Sequence, residues 1–305
     1  MTKAIVTGPT GAIGVALIEE LVKHNIFVYA VCRKNSSRIA NIPVHKLVKI
    51  IECDLDELNT LALKINSGCD IFYHLGWMAT IGDGRNDTDL QLQNIRYTLD
   101  AVNVAHQLNC RRFIGAGSQA EYGRVEGKIS PNTPAFPENG YGIAKLCAGQ
   151  LSRIKCEQLG IAHIWTRILS IYGPFDGPRT MISSTIRTLL DKNKPALTLG
   201  DQQWDYLYSK DAATAFYLIG KHGISGKTYC IGSGQVAPLR QYIETLRNQI
   251  DPSLPLGFGE IPYGDKQVMH LEADISDLHK DTGFVPQYSF EKGIQETIDW
   301  CKQQH

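Results

Sequence analysis

Short apolar runs alternate with longer stretches of helical period through the first half of the chain. Runs of strand length fall at Lys3 to Thr7, Phe27 to Cys32, Val48 to Glu52, Ile71 to His74, Arg112 to Ala116 and Ala162 to Ile168. Between most of them, as at Ala12 to His24 and Asn94 to Leu108, apolar residues recur at the three- and four-residue spacing of a helix face. A strand, an amphipathic helix and a further strand form the unit of a parallel sheet covered by helices. The pattern therefore predicts an α/β fold, a Rossmann-type doubly wound parallel sheet.

Beyond Gly173 the pattern changes. Pro and Gly cluster in Gly173 to Arg179, helical patterns dominate, and turns at Pro252 to Pro255 and Ile261 to Gly264 interrupt the chain. A smaller C-terminal α/β domain is expected to begin near Gly173. Trp204 to Gly220 and Thr228 to Ile231 again read as strand, helix and strand, which predicts a return to the first domain. No internal repeat or low-complexity segment is present in the sequence.

Gly8, Gly11 and Gly14 form G-x-x-G-x-x-G where the first strand gives way to the first helix. Missing Cβ atoms let a backbone turn tightly against a pyrophosphate, and the free N–H groups and dipole of a helix N-terminus favour its charge. Gly8, Thr10, Gly11, Ala12, Ile13 and Gly14 are the expected dinucleotide contacts there, with Asp54 and Leu55 after the third strand and Leu75 and Gly76 after the fourth. Residues 1–172 with the return segment 205–232 are then the dinucleotide-binding domain, and 173–204 with 233–305 the substrate-binding domain. NAD-binding turns place an acidic residue about 20 positions on, against the ribose. Here the second strand ends in Cys32, Arg33 and Lys34. A guanidinium can hold a 2′-phosphate bidentately where a carboxylate would repel it, so Arg33 places NADP ahead of NAD. Asp54 is placed to meet the adenine or to cap a helix.

Tyr141 and Lys145 are spaced i, i+4 and share one helix face. A tyrosine titrates near ~10, and a neighbouring ammonium favours its phenolate. Ser118 follows the strand Arg112 to Ala116, and the carboxyl ends of such strands open into the ligand crevice. Its hydroxyl can bond a substrate oxygen.

With these residues in hand, the chain resembles the extended short-chain dehydrogenase/reductases of the NAD-dependent epimerase/dehydratase group over nearly its whole length. The resemblance rests on the glycine triplet, His74-Leu75-Gly76, Asn94 at a helix start, Ser118 to Gly123, Tyr141 to Lys145, Arg167 leading to Tyr172-Gly173-Pro174, and Asp205-Tyr206 before Asp211. It implies a nicotinamide dinucleotide and a nucleotide sugar, with UDP the first choice of nucleotide, oxidised or reduced at C4. It also implies Tyr141 as acid/base, Ser118 as its hydrogen-bonding partner, and Lys145 as the ribose and pKa partner. Helices at Asn94 and Tyr141 resemble those that pair two subunits of relatives, so a homodimer is expected.

Three departures bear on the reaction. The 4,6-dehydratases of the group carry Asp and Glu after the Ser/Thr to eliminate water across C5 and C6; here Gln119 and Ala120 stand there, and neither exchanges protons at neutral pH. Gln119 is left as a substrate contact, and Glu121 substitutes only if the loop turns differently. Trp204 stands where many relatives have a diphosphate-binding arginine; its indole, with stacking and one donor to offer, is expected to contact the substrate, and Arg179 and Arg187 are the candidate cations. Ser170 takes the usual asparagine position. A reductase of a 4-keto-6-deoxy intermediate using NADPH is the first expectation. A cofactor-recycling epimerase, an internal-redox enzyme on a 5,6-unsaturated sugar, and a non-catalytic dinucleotide sensor follow.

Length and charge agree with this reading. At ~150 residues per domain, 305 residues make about two domains. Lys+Arg and Asp+Glu number 31 each, which removes the electrostatic basis for binding nucleic acid or an acidic membrane. The eight cysteines include no C-x-x-C, and His45, His222 and His270 have no metal-ligand spacing, so no metal site and no disulfide framework is expected. With no leader and no apolar run of membrane length, a cytoplasmic enzyme with reduced thiols is expected. His74 reads as a structural histidine, Tyr122 and Trp77 as packing or pocket lining, and Asp205 and Asp211 as loop and cap residues. Specificity is expected in Trp77 to Thr88 and Gly173 to Thr180, with Gly82 to Gly84 as a mobile cover.

Overall fold

The structure is a computed structural model, and it describes residues 1–304. The first half runs β1 (Lys3–Thr7), α1 (Ala12–Lys23), β2 (Phe27–Cys32), β3 (Val48–Glu52), β4 (Ile71–His74), α2 (Thr88–Gln107), β5 (Arg112–Ser118), β6 (Lys128–Ile129), α3 (Gly140–Gln158) and β7 (Ala162–Ile168). The second half runs β8 (Ser170–Tyr172), α4 (Met181–Leu190), β9 (Ala196–Leu197), β10 (Gln203–Trp204), β11 (Tyr206–Tyr208), α5 (Ser209–His222), β12 (Thr228–Ile231), β13 (Ala237–Pro238), α6 (Leu239–Ile250), β14 (Gly257–Phe258), β15 (His270–Ala273), α7 (Ser276–Thr282) and α8 (Phe290–Gln304).

Seven strands form one parallel sheet in the order β12-β7-β5-β4-β1-β2-β3. Alternate residues of a strand face opposite sides, and both sides are covered. Ala4 and Val6 of β1 pack with Leu17 of α1 and Phe216 of α5, while Ile5 packs with Phe72, Phe113 and Val102 of α2 on the other side. Burial on both faces is why the strands are nearly continuous apolar runs. The strand order reverses between β1 and β4, so a crevice opens at their carboxyl ends, the switch point at which such sheets bind ligands. The predicted Rossmann-type sheet is present.

Around Tyr172 and Tyr208 a second core gathers Ile182 and Ile186 of α4, Leu246 of α6 and Ile294 and Ile298 of α8. Short sheets accompany it: β11 pairs with β8, and β10 sits between β13 and β15. Within the expected strand, helix, strand of Trp204 to Ile231, α5 packs on α1 and β12 lines up beside β7 at the edge of the large sheet. Trp204 itself pairs in the small four-stranded sheet.

Two local boundaries differ from the pattern. The helix expected to open at Asn94 begins at Thr88, after Asp87, whose carboxylate accepts the Leu90 N–H at 3.1 Å. Its first turn carries one apolar residue, Leu90, and buries a polar one, Gln91, so periodicity does not reveal it. Asn94 is instead a buried residue one turn in, bonded to both the N–H and the C=O of Met78 at 2.9 and 3.0 Å. β5 also continues past Ala116, making Ser118 its last residue rather than the first of a loop.

Candidate active site

The crevice begins at the glycine turn. Gly8 leaves β1 with φ +69°, and a Cβ there would lie 3.0 Å from the Gly76 amide nitrogen. At Gly14 a Cβ would lie 2.1 Å from the Gly8 oxygen. These two glycines are required by packing. Around Gly11 there is open space, with nothing within 4 Å of a Cβ. Gly11 is also the N-cap of α1, which has no side-chain cap and no acidic residue in its first turn, so its amide donors and positive dipole end face that space bare. An anion with several acceptor oxygens fits there, and a dinucleotide's pyrophosphate is such a group.

Two cavities flank the turn. One, of about 330 Å³, is lined by Gly8, Gly11, Ala12, Ile13, Gly14, Leu75, Trp77, Ser118, Tyr141 and Lys145. The other, of about 660 Å³, is lined by Gly8, Thr10, Cys32, Arg33, Ser36, Arg38, Asp54, Leu55, Gly76 and Trp77. The first holds the candidate chemistry and the second has the size and position for an adenosine half.

In the second cavity Arg33 is exposed and has no carboxylate partner among the described residues. Neighbouring Lys34 is paired with Glu57 at 2.7 Å. Asp54 does not cap the following 3-10 turn; its Oδ1 accepts the Lys34 N–H at 2.9 Å, tying the ends of β2 and β3 together. Arg38 donates to the Phe175 oxygen at 2.5 Å and Asn41 to the Thr10 oxygen at 3.1 Å, so the chain after β2 is fastened to both sides of the crevice.

In the first cavity Ser118 ends β5. Its hydroxyl oxygen accepts the Ala120 N–H at 3.2 Å, which leaves the hydroxyl proton free to donate. Its own N–H donates to Glu121 Oε1 at 2.9 Å. Glu121 is fully buried, and it also accepts from Arg167 Nε at 2.7 Å and from the Trp165 indole at 3.0 Å. Tyr141 lies in the first turn of α3, which Asn139 caps through the Gly142 N–H. Burial pushes the Tyr141 phenol up from its ordinary value, while the Ser118 hydroxyl and the Arg85 charge pull it back. Lys145 is buried one turn on and donates to the Ala116 oxygen at 2.5 Å. Its Nζ lies 3.8 Å from the Trp77 ring centroid and 5.7 Å from that of Tyr141. Burial pulls the ammonium down to about 7.

The structure thus gathers Ser118, Tyr141 and Lys145 beside the glycine turn. Gln119, Arg179, Arg187 and Trp204 line neither cavity. Arg179 is exposed, Arg187 lies on α4 with a buried Nε that has no partner, and Trp204 is hydrogen-bonded to Ser170. His74 bonds the Thr7 hydroxyl through Nδ1 at 3.0 Å, and burial holds it neutral, down to about 3. Asp205 accepts four backbone or hydroxyl donors around Ser233, Gly234 and Ala273, and Asp211 accepts the Gln287 and Tyr288 amides. Among the described residues no group of His, Cys, Asp and Glu is arranged to hold a metal ion, and no helix is long and apolar enough to cross a membrane.

Two residues at the site escape sequence reasoning. Asp176 lines the first cavity, and burial raises its carboxyl. Arg85 lies over the Tyr141 ring. Arg85 sits in a short 3-10 turn, Asp83–Asn86, and Asp176 on an irregular loop; the course of both depends on contacts distant in sequence, and the Gly and Pro around them announce only that the chain turns.

A model of the NAD dependent epimerase/dehydratase family matches residues 4–232. A dTDP-glucose 4,6-dehydratase of Neisseria meningitidis is 25% identical, covering 98% of this chain and 93% of its own. An uncharacterized UDP-glucose epimerase of Bacillus subtilis is 25% identical, covering 97% and 96%. Among solved structures, a UDP-N-acetylglucosamine 4-epimerase from Methanobrevibacter ruminantium superposes with a TM-score of 0.90 at 21% identity, over 100% of this chain and 99% of that one. A UDP-glucuronic acid 4-epimerase from Bacillus cereus in complex with NAD gives 0.86 at 22% identity, over 99% of each chain.

Proposed function

The chain belongs to the NAD dependent epimerase/dehydratase family, and from that premise we propose that it is an oxidoreductase acting at C4 of a nucleotide sugar, reducing a 4-keto-6-deoxy intermediate with NADP as its cofactor. The observation that carries this reading is a complete C4 redox set without an elimination pair. Ser118, Tyr141 and Lys145 share the cavity beside the glycine turn, whereas Gln119 and Ala120 carry no acid or base. Glu121 is bound to Arg167, Trp165 and the Ser118 amide and has no freedom to replace them.

The nicotinamide, when bound, supplies the hydride that C4 of the sugar accepts. This chain's residues do the rest. The bare amides at Gly11 to Ile13 bind the pyrophosphate. Ser118, with its proton free, donates to the substrate's O4 and holds the carbonyl in place. Tyr141 gives O4 the proton that balances the arriving hydride, and Lys145 offsets the phenolate that remains. In the oxidising direction the same groups act in reverse.

Arg33, exposed in the adenosine-sized cavity with no carboxylate partner among the described residues, supports NADP. A second reading has its own support: the similar solved structures include 4-epimerases, one of them holding NAD, and a recycling epimerase on a UDP sugar would use the same three residues. A homodimer belongs to either reading, since α2 and α3 pack together and leave Leu92, Ile143, Leu151 and Ile154 exposed.

The test is to identify any nucleotide that copurifies, by absorbance and mass spectrometry, and then to titrate the stripped protein with NADPH and NADH. An empty protein that prefers NADPH supports the reductase; stoichiometric retained NAD supports recycling. Tyr141→Phe should lower turnover by orders of magnitude while dinucleotide binding persists. Unchanged turnover would leave the dinucleotide sensor as the surviving reading.

A further inference from the structure

The loop after β4 lines the first cavity with Trp77 and Thr80. Its sequence, Gly82-Asp83-Gly84, reads as a mobile cover, but the loop is fastened at several points. Gln91 on α2 donates to the Ala79 and Gly84 oxygens at 3.2 and 2.9 Å, and Asn94 holds both polar groups of Met78. At its far end Asn86 accepts the Gly140 N–H at 3.0 Å, which joins the loop to the N-terminus of α3 immediately before Tyr141. Gly140 is needed for this approach, because a Cβ there would lie 2.9 Å from the Arg85 oxygen.

This fastening fixes the Arg85 side chain. Its Nη1 donates to the Thr80 oxygen at 3.1 Å, and its guanidinium carbon lies 4.4 Å from the centroid of the Tyr141 ring. Trp77 meets the same ring edge-on at 6.2 Å. We propose that Arg85 is a positioning residue for proton transfer by Tyr141: the guanidinium, held on the ring face by the fastened loop, fixes the phenol and favours its ionised form. This rests on the reading of Tyr141 as the acid/base.

The physical reason is that a cation over an aromatic face is attracted by the ring's negative face, and the ring becomes more electron-rich when the phenol ionises. Other groups bear on Tyr141. Lys145 projects from its own helix, but its Nζ is turned to the Ala116 oxygen and the Trp77 face. From the turn after β5 come Ser118, whose hydroxyl favours the phenolate, and Glu121, whose opposing charge is matched by Arg167. Asp176 lines the same cavity from the loop after β8, and His74 on β4, kept neutral by burial, feels the Lys145 charge. Arg85 is the cation that contacts the ring face closely.

Tyrosinate absorbance tests this without a substrate. The alkaline titration of each protein is compared with that of the same protein carrying Tyr141→Phe, so that the difference isolates Tyr141 among the 13 tyrosines. Arg85→Leu should raise the midpoint by about one pH unit, and Arg85→Lys, which keeps the charge, should recover most of that shift. A midpoint for Arg85→Leu equal to or below that of the wild type overturns the proposal, and so does absence of a Tyr141 signal from both within the titration range. If Arg85→Leu does not fold, Arg85→Gln replaces it in the same comparison. Failure of the acid/base reading shows separately, as turnover that survives Tyr141→Phe.

Discussion

Trp204 donates its indole N–H to the Ser170 hydroxyl at 2.8 Å, joining two positions at which the family resemblance leads one to expect an arginine and an asparagine. If this bond holds the two side chains together, their losses should not add. Trp204→Phe and Ser170→Ala should each lower stability by about 1 kcal/mol, and the double variant should be no worse than the poorer single one. Chemical denaturation of the four proteins measures this. Fully additive losses would mean that the hydrogen bond contributes nothing.

Lys145 makes stability depend on pH near neutrality. Burial holds its ammonium at about 7 in the folded protein, whereas in the unfolded chain it stays protonated to about 10.4. Between these values the unfolded state binds more protons, so stability rises with pH across this window; what Lys145 permits above about 10.4 is lost as the pH falls, and the loss is complete near 7. Urea unfolding of the ligand-free protein between pH 7 and 8.5 should show a slope that exceeds that of Lys145→Met by up to about 1.4 kcal/mol per pH unit. Equal slopes would mean that Lys145 is solvated or paired as an ion.

On the acid side two buried histidines set the onset of unfolding. His163 is lowered to about 4 and His74 to about 3, both by burial. An unfolded histidine takes up its proton near 6.5, so stability present above that value is lost as the pH falls. His163 stacks between Phe113 and Trp165, and Ser152, its hydrogen-bonding partner, also bonds the Gly149 oxygen at 3.2 Å. Phenylalanine therefore fits the position. Between pH 6 and 5 His163→Phe should flatten the decline in unfolding free energy by about 1.4 kcal/mol per pH unit. An unchanged decline would show that His163 is already protonated in the folded state.

How far the sequence reveals all this follows from the range of the interactions. The large sheet is legible because its strands are buried on both faces and read as unbroken apolar runs. Tyr141 and Lys145 are legible because one helical turn relates them, and Ser118 because strand ends face the crevice. The two-residue strands of the small sheets are too short to carry a period. The Trp204–Ser170 bond joins residues 34 positions apart, and the Asn86–Gly140 bond that places Arg85 joins residues 54 apart. No local pattern encodes either pairing; each depends on how the loops cross the finished sheet.

The proposed preference for NADP is tested at Arg33. A bidentate contact with a 2′-phosphate is charge-assisted and adds about 1.5–3 kcal/mol, roughly 10- to 100-fold in affinity. Removing it should weaken only the ligand that carries the phosphate. Arg33→Ala should therefore raise the Kd of NADPH by that factor and leave that of NADH unchanged, as measured by fluorescence titration. Arg38 provides the contrast. It lines the same cavity, but its guanidinium is bound to the Phe175 oxygen, so its loss loosens the chain around both dinucleotides. Arg38→Ala should weaken the two by similar factors. If Arg33→Ala also affects both alike, or neither, the guanidinium does not read the 2′-phosphate, and the cofactor-recycling epimerase with NAD becomes the better account of the same Ser118, Tyr141 and Lys145.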